Sequence, residues 1–157
     1  MDTKNISYIK NVSNDKGWAY AEHPVSSYFL LHFHRREDSP TVEHHALSLP
    51  KGSVIILSQN PPFGTVRYLT HVVELVNDGI EDQPQWKNGE DFGILRWVKV
   101  LWAANFSDTS NIPVDSEVLK ANWGWFDTKA KSLNSPNLMT QWGDINSLRT
   151  HLGSIFG

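Results

Sequence analysis

Cysteine is absent from the chain. That excludes a disulfide framework, a thiolate zinc site and a cysteine nucleophile, and it fits a reducing compartment such as the cytoplasm. Long apolar runs are missing too, and nothing approaches the roughly 20 residues of a membrane span. The opening "MDTKNISYIKNVSNDKG" lacks the charged-then-apolar order of a secretion signal. These absences point to a soluble, cytoplasmic protein, or a domain cut from one, with no membrane partner. Neither charge dominates: 14 Lys and Arg stand against 17 Asp and Glu, a formal net charge of −3. With a pI near 6.1, a broad basic surface that coats nucleic acid is excluded. A local basic strip is not, nor is a site for one base held out of its stack. No Gly-rich phosphate loop, nucleophile elbow or nuclease carboxylate set occurs, so the chain is expected to be non-enzymatic and to need no cofactor.

What is present is aromatic. Seven tryptophans accompany only two methionines, and tryptophan supplies large, rigid, flat area that suits cores and stacking platforms alike. The 157 residues suffice for one domain with a real core. Residues 1–16 are polar and aperiodic and read as an N-terminal arm or a short edge strand, leaving 17–157 as the domain. "GWAYAEHP" reads as a short strand with Trp18 and Tyr20 on one face, closed by Pro24. "VSSYFLLHFHRRED" fits strand or helix; a cap at Ser26 or Ser27 and the spacing of Phe29, Leu30 and Phe33 tilt it toward helix. "SPTVEHHALSL" predicts a short helix, with Ser39 as cap, Pro40 at the first helical position and Glu43 near a capping-box position.

After the Pro50-Lys51-Gly52 turn, Val54–Leu57 is a buried strand. "TVRYLTHVVELV" pairs with it as a hairpin, with Arg67, Leu69, His71, Val73 and Leu75 on one face. A loop rich in Asp and Glu (Asp78, Glu81, Asp82, Glu90, Asp91) reads as solvated and leads to the strand Ile94–Trp102. There Trp97 and Trp102, five residues apart, are expected on opposite faces, both holding the fold. Trp86 stands outside that strand in a loop and is the candidate ligand contact. "NWGWF" would place Trp123 and Trp125 on one face if extended, as a packed lid or a stacking platform. A short helix follows Pro113, and "GDINSLRTHLGSIF" is an amphipathic C-terminal helix. The fold class expected is α+β: a small curved barrel of about five to six strands flanked by short helices.

Several of these segments resemble a known family. "GWAYAEHP" resembles the opening strand of EVE domains, "LPKGSVIIL" their basic-Gly turn and apolar strand, and "GTVRYLTHVVELV" the strand that closes their barrel. Trp86 followed by "VKVLW" is similar to the related YTH domains. Both belong to the PUA-like superfamily of small barrels that read modified nucleobases, some as specificity modules of modification-dependent restriction systems. The resemblance implies an aromatic cage for a flipped methylated base. Trp86 would form one wall. Phe33 and His34 fall where the families place a second tryptophan, and Phe92 or Ile94 would line the third side. It also implies a nucleic-acid partner carrying a modified base, and an effector nuclease or NTPase, fused or separate.

Beside the resemblance, Gln59 and Asn60 end the central strand and are candidates to read a base edge. Arg35, Arg36 and Lys51 are candidates for phosphates, whereas Arg67 and Arg96, on strands, are expected to pair with acids. Two other classes stay open. His32 and His34 would share a face of a strand, and with Glu37 (His44 and His45 following) they suggest a cupin-like metal enzyme. Exposed aromatics would equally serve a protein-interaction module that binds no nucleic acid. His71, among leucines and valines, reads as a satisfied core or edge histidine.

Overall fold

The computed structural model describes residues 1–34, 41–82 and 93–157. Its strands are β1 (Ile6–Val12), β2 (Tyr28–His34), β3 (Val54–Gln59), β4 (Tyr68–Leu75), β5 (Gly93–Ala103) and β6 (Ala130–Ser132). Among the described residues four short helices accompany them: α1 (Val42–Ser48), α2 (Asp115–Leu119), α3 (Pro136–Trp142) and α4 (Ile145–Phe156). The strands form one mixed sheet in the order β2-β5-β4-β3-β1-β6, with β1 parallel to β3 and the other pairs antiparallel. The sheet curls into a half-barrel, so the expected α+β class with a small curved sheet and flanking helices is what the chain adopts.

The curl creates two cores. On its inner face all six strands and α1 contribute, with Phe29, Leu31, Phe33, Ile55, Leu57, Val73, Val98 and Val100 at the centre. On the outer face Ile6, Ile9, Val54, Ile56, Leu69 and Val72 pack under Trp123 and the α2–α4 helices, whose Leu119, Leu138, Leu148 and Leu152 are fully buried. The amphipathic C-terminal helix is as the periodicity predicts, and the Asp144 side chain caps it by accepting the Ser147 N–H at 2.7 Å.

Four expectations change. Ile6–Val12, inside the segment read as an arm or short edge strand, lies between β3 and β6, with Ile6 and Ile9 buried. Residues 17–24 are turns rather than a strand, and Tyr20 takes a left-handed φ of +60°. Tyr28–His34 is a strand rather than a helix: each of its seven residues pairs with β5, and that ladder overrides the helical spacing. Third-dimensional register also reassigns faces. Leu57 pairs with His71 while Ser58 pairs with Leu69, leaving Thr70 as a bulge that moves Leu69 onto the outer core. A second shift skips Leu101, so Trp102 joins the outer core against Phe156. Trp97 shares that face and is 42% exposed rather than core. Ser39 and Pro40, expected to start α1, lie outside the described residues.

The open edges meet across a seam. Thr128, just before β6, donates its hydroxyl to the His34 carbonyl at the end of β2 (2.8 Å). Lys10 on β1 places its ammonium 4.6 Å from the centre of the Phe33 ring on β2. Thr128→Val keeps shape and deletes that hydroxyl. It is expected to cost about 1 kcal/mol, read as a lower urea midpoint at unchanged slope.

Candidate functional site

The seam opens into a cavity of about 560 Å³ lined by Asn11, Ser13, Asn14, Asp15, His34 and Thr128. Three strand ends build it. β1 stops at Val12 because "SNDKG" carries turn-forming residues, and the Asn14 side chain accepts the Lys16 N–H at 2.9 Å. β2 ends at His34, and residues 127–129 lead into β6. The lining is polar, rich in groups that both donate and accept.

Beneath this lining lies buried charge. Lys10 is almost wholly enclosed and donates to the Asn11 carbonyl at 3.0 Å. Burial pulls its pKa down to about 7, against the pull of the Asp127 carboxylate in the other direction. Asp127 is itself buried and pairs with Lys131 at 2.8 Å. One carboxylate therefore serves two lysines.

Asn11 joins the cavity to a second cleft. Its Oδ1 accepts from Nη2 of Arg67 at 2.6 Å, and Arg67 lines a cleft of about 510 Å³ with Val66, Asp115, Lys120, Asn122 and Trp125. Arg67 also donates to the Ser58 carbonyl (3.0 Å), and its guanidinium carbon lies 5.1 Å from the Trp125 ring and 5.9 Å from Trp123. Burial lowers the Arg67 pKa, opposed by the nearby Asp115. Asp115 is fixed by Ser58 Oγ (2.6 Å) and Trp123 Nε1 (2.9 Å). Trp123 is thus a buried lid, while its neighbour Trp125 is 45% exposed.

Compared with family models, with curated proteins and with solved structures, the chain matches none. The site therefore rests on its own residues. Of those expected from sequence, His34 lines the seam cavity. Phe33 and Ile94 do not: both are buried in the inner core, because they alternate with the outward residues of their strands. Gln59 is also buried and structural, accepting the Ala19 N–H (2.9 Å) and donating to the Gly17 carbonyl (2.8 Å). Asn60 closes its own loop, its amide nitrogen donating to the Gly64 carbonyl at 2.9 Å.

Lys51 sits in the turn before β3, at the opposite end of that strand from Ser58, the partner of Asn11. It is exposed, and its backbone N–H donates to Asp78 Oδ1 at 2.8 Å. Trp86 and Phe92, and the phosphate candidates Arg35 and Arg36, lie outside the described residues. Arg96 pairs with Asp82 as expected, but deep in the protein: both side chains are 0% exposed, so Asp82 is no part of a solvated run.

For the metal alternative, His32 and His34 do share a face, with ring centres 3.8 Å apart. Glu37 lies outside the described residues, and His45 spends Nε2 on the Ala130 carbonyl at 2.7 Å. Among the described residues no group of three or more His, Asp or Glu is placed to hold a metal ion. His71 is buried and satisfied, with Nε2 at 3.2 Å from the Tyr20 carbonyl and Nδ1 at 2.9 Å from Thr70 Oγ1. No helix of the described residues is long and apolar enough to cross a membrane.

Sequence reasoning missed Asn11, Ser13, Asn14, Asp15 and Thr128. The signal for the first four was a polar cluster directly after the alternating "ISYIK". Thr128 carried none, since it reaches the site only through the curl.

Proposed function

We propose that the chain is a non-catalytic binding domain that takes one modified nucleobase of DNA or RNA into the seam cavity. The observation that carries this reading is the cavity itself. About 560 Å³ lies within the 300–1,000 Å³ range of small-ligand sites. Its lining of amides, hydroxyls, a carboxylate and an imidazole matches the edge of a base, which offers donors and acceptors in one plane. The stacking partner this reading needs is Trp86, given that role by the family resemblance alone. In this reading an effector nuclease or NTPase acts on what the domain has recognised.

Titration by tryptophan fluorescence with short oligonucleotides, each carrying one modified base or its plain counterpart, tests the proposal. One modification is expected to bind at least about tenfold more tightly than its plain form, since one extra methyl group in a fitted pocket is worth about 1–3 kcal/mol. Asp15→Ala and Trp86→Ala are each expected to remove that preference. Equal affinities for every modified and plain pair would sink it. A protein-docking role would then gain ground, favoured by the outward strip of Tyr28, Leu30 and Trp97 on neighbouring strands β2 and β5.

A further inference from the structure

The segment joining α2 to β6 runs from the Arg67 cleft to the seam cavity, with Trp123, Trp125 and Phe126 between Lys120 and Lys129. Trp125 is a wall between two clefts. One, of about 510 Å³, faces Arg67 and Lys120; the other, of about 160 Å³, faces Gly124 and Phe126. Gly124, at φ +87°, makes the turn that sets the two aromatic rings on the surface, where Phe126 is 62% exposed. The Lys131 ammonium lies 4.4 Å from the Phe126 ring, and Lys120 lies 5.9 Å from Trp142.

Charge on this strip differs from the chain as a whole. Residues 120–131 hold three lysines and a single acid, Asp127, which is buried and paired with Lys131. Asp115, on the cleft wall, is buried and engaged by Ser58 and Trp123. The outward charge is therefore positive on a chain of net charge −3. Arg67 adds a further cation on the wall of the larger cleft.

We propose that this strip binds a single strand of nucleic acid. A base stacks on Trp125 beside Phe126, and the adjoining phosphates lie against Arg67 and the exposed Lys120. Cations interleaved with exposed rings are the chemistry that holds single strands, because unstacked bases offer π-faces that a duplex hides. The inference rests on the seam cavity as the base site and extends it. Asn11 bonded to Arg67 at one end, and Thr128 two residues after Phe126 at the other, tie the strip to the cavity wall. A strand delivering one base to the cavity would lay its neighbours here.

The test is fluorescence anisotropy of the full chain with a labelled, unmodified short single strand and with its duplex, between about 50 and 200 mM salt. The single strand is expected to bind more tightly than the duplex and to weaken with salt. Trp125→Ala, an exposed position that leaves the core intact, is expected to weaken it roughly 10- to 100-fold. Lys120→Ala is expected to flatten the log–log salt slope by about one. Unchanged binding in Trp125→Ala, or a duplex bound as tightly as the single strand, overturns the proposal. The ratio of modified to plain affinity reports on the seam cavity, whereas the plain-strand affinity reports on this strip. Either reading can therefore fail alone.

Discussion

Arg96→Met is expected to lose about 3–5 kcal/mol of stability, the usual cost of removing one partner from a buried ion pair. Against a total of about 5–15 kcal/mol for a domain, that leaves a marginal fold. Arg96 sits on the inner face of β5 at 0% exposure, and all three of its guanidinium nitrogens are bonded. Nε meets Asp82 Oδ2 at 2.8 Å, Nη1 meets the carbonyls of Ala46 (2.6 Å) and Leu49 (3.1 Å), and Nη2 meets the Asn77 carbonyl at 2.8 Å. Two of these carbonyls belong to the end of α1, where the helix has no N–H of its own to offer them. One side chain thus caps α1, holds the turn after β4 and neutralises Asp82. Methionine matches the volume and supplies none of these donors. Arg96→Lys keeps the charge but not the planar fork, so it is expected to recover only part of the loss. Urea unfolding followed by tryptophan fluorescence measures both. A shift below about 1 kcal/mol for Arg96→Met would mean that the network is dispensable.

The second large effect is a stability curve that still climbs above neutral pH. Burial draws His71 down to about 4, partly offset by its bond to the Tyr20 carbonyl. Between about pH 4 and 6.5 the unfolded chain therefore takes up a proton that the folded chain refuses, and stability falls as pH falls through that window. The size is about 3 kcal/mol from the shift. Lys10, drawn down to about 7 by burial, acts in the same direction higher up. From about pH 7 to 10.5 the unfolded chain holds the proton and the folded chain does not, so stability rises with pH by an amount on the order of a few kcal/mol. Tyr20 opposes it only above pH 10: burial raises its pKa, so its contribution is lost as pH rises past the unfolded value. Urea midpoints at pH 4.5, 7 and 9 should therefore increase in that order. Lys10→Met should flatten the step from 7 to 9, and His71→Gln the step from 4.5 to 7. A wild-type midpoint that is level or falling from pH 7 to 9 would contradict the Lys10 argument.

How much of this was legible beforehand depends on the range of the interaction. The hairpin of β3 and β4, the α1 helix, the short helix after Pro113 and the amphipathic α4 came from local pattern: a glycine turn between apolar strands, or leucines at steps of 3 and 4. The inward turn of Phe33 and Ile94 follows from strand alternation once Tyr28–His34 is known to be a strand. That step failed because a seven-residue run with apolar residues at both spacings leaves its form to whichever partner it meets, and β5 decided it.

Composition and periodicity by themselves determined the α+β class with a curved sheet, the absence of thiol chemistry and the places of β3, β4, β5, α1, α2 and α4, because these depend on neighbours along the chain. Only the tertiary structure decided the rest. Bulges at Thr70 and Leu101 exchanged the faces of Leu69 and Trp102. The curl brought Asn11, His34 and Thr128 around one cavity, and it set Arg67 against Trp125 across 58 residues of sequence. Each of these turns on register and closure between distant segments. Their free energy comes from pairing partners that no local window contains.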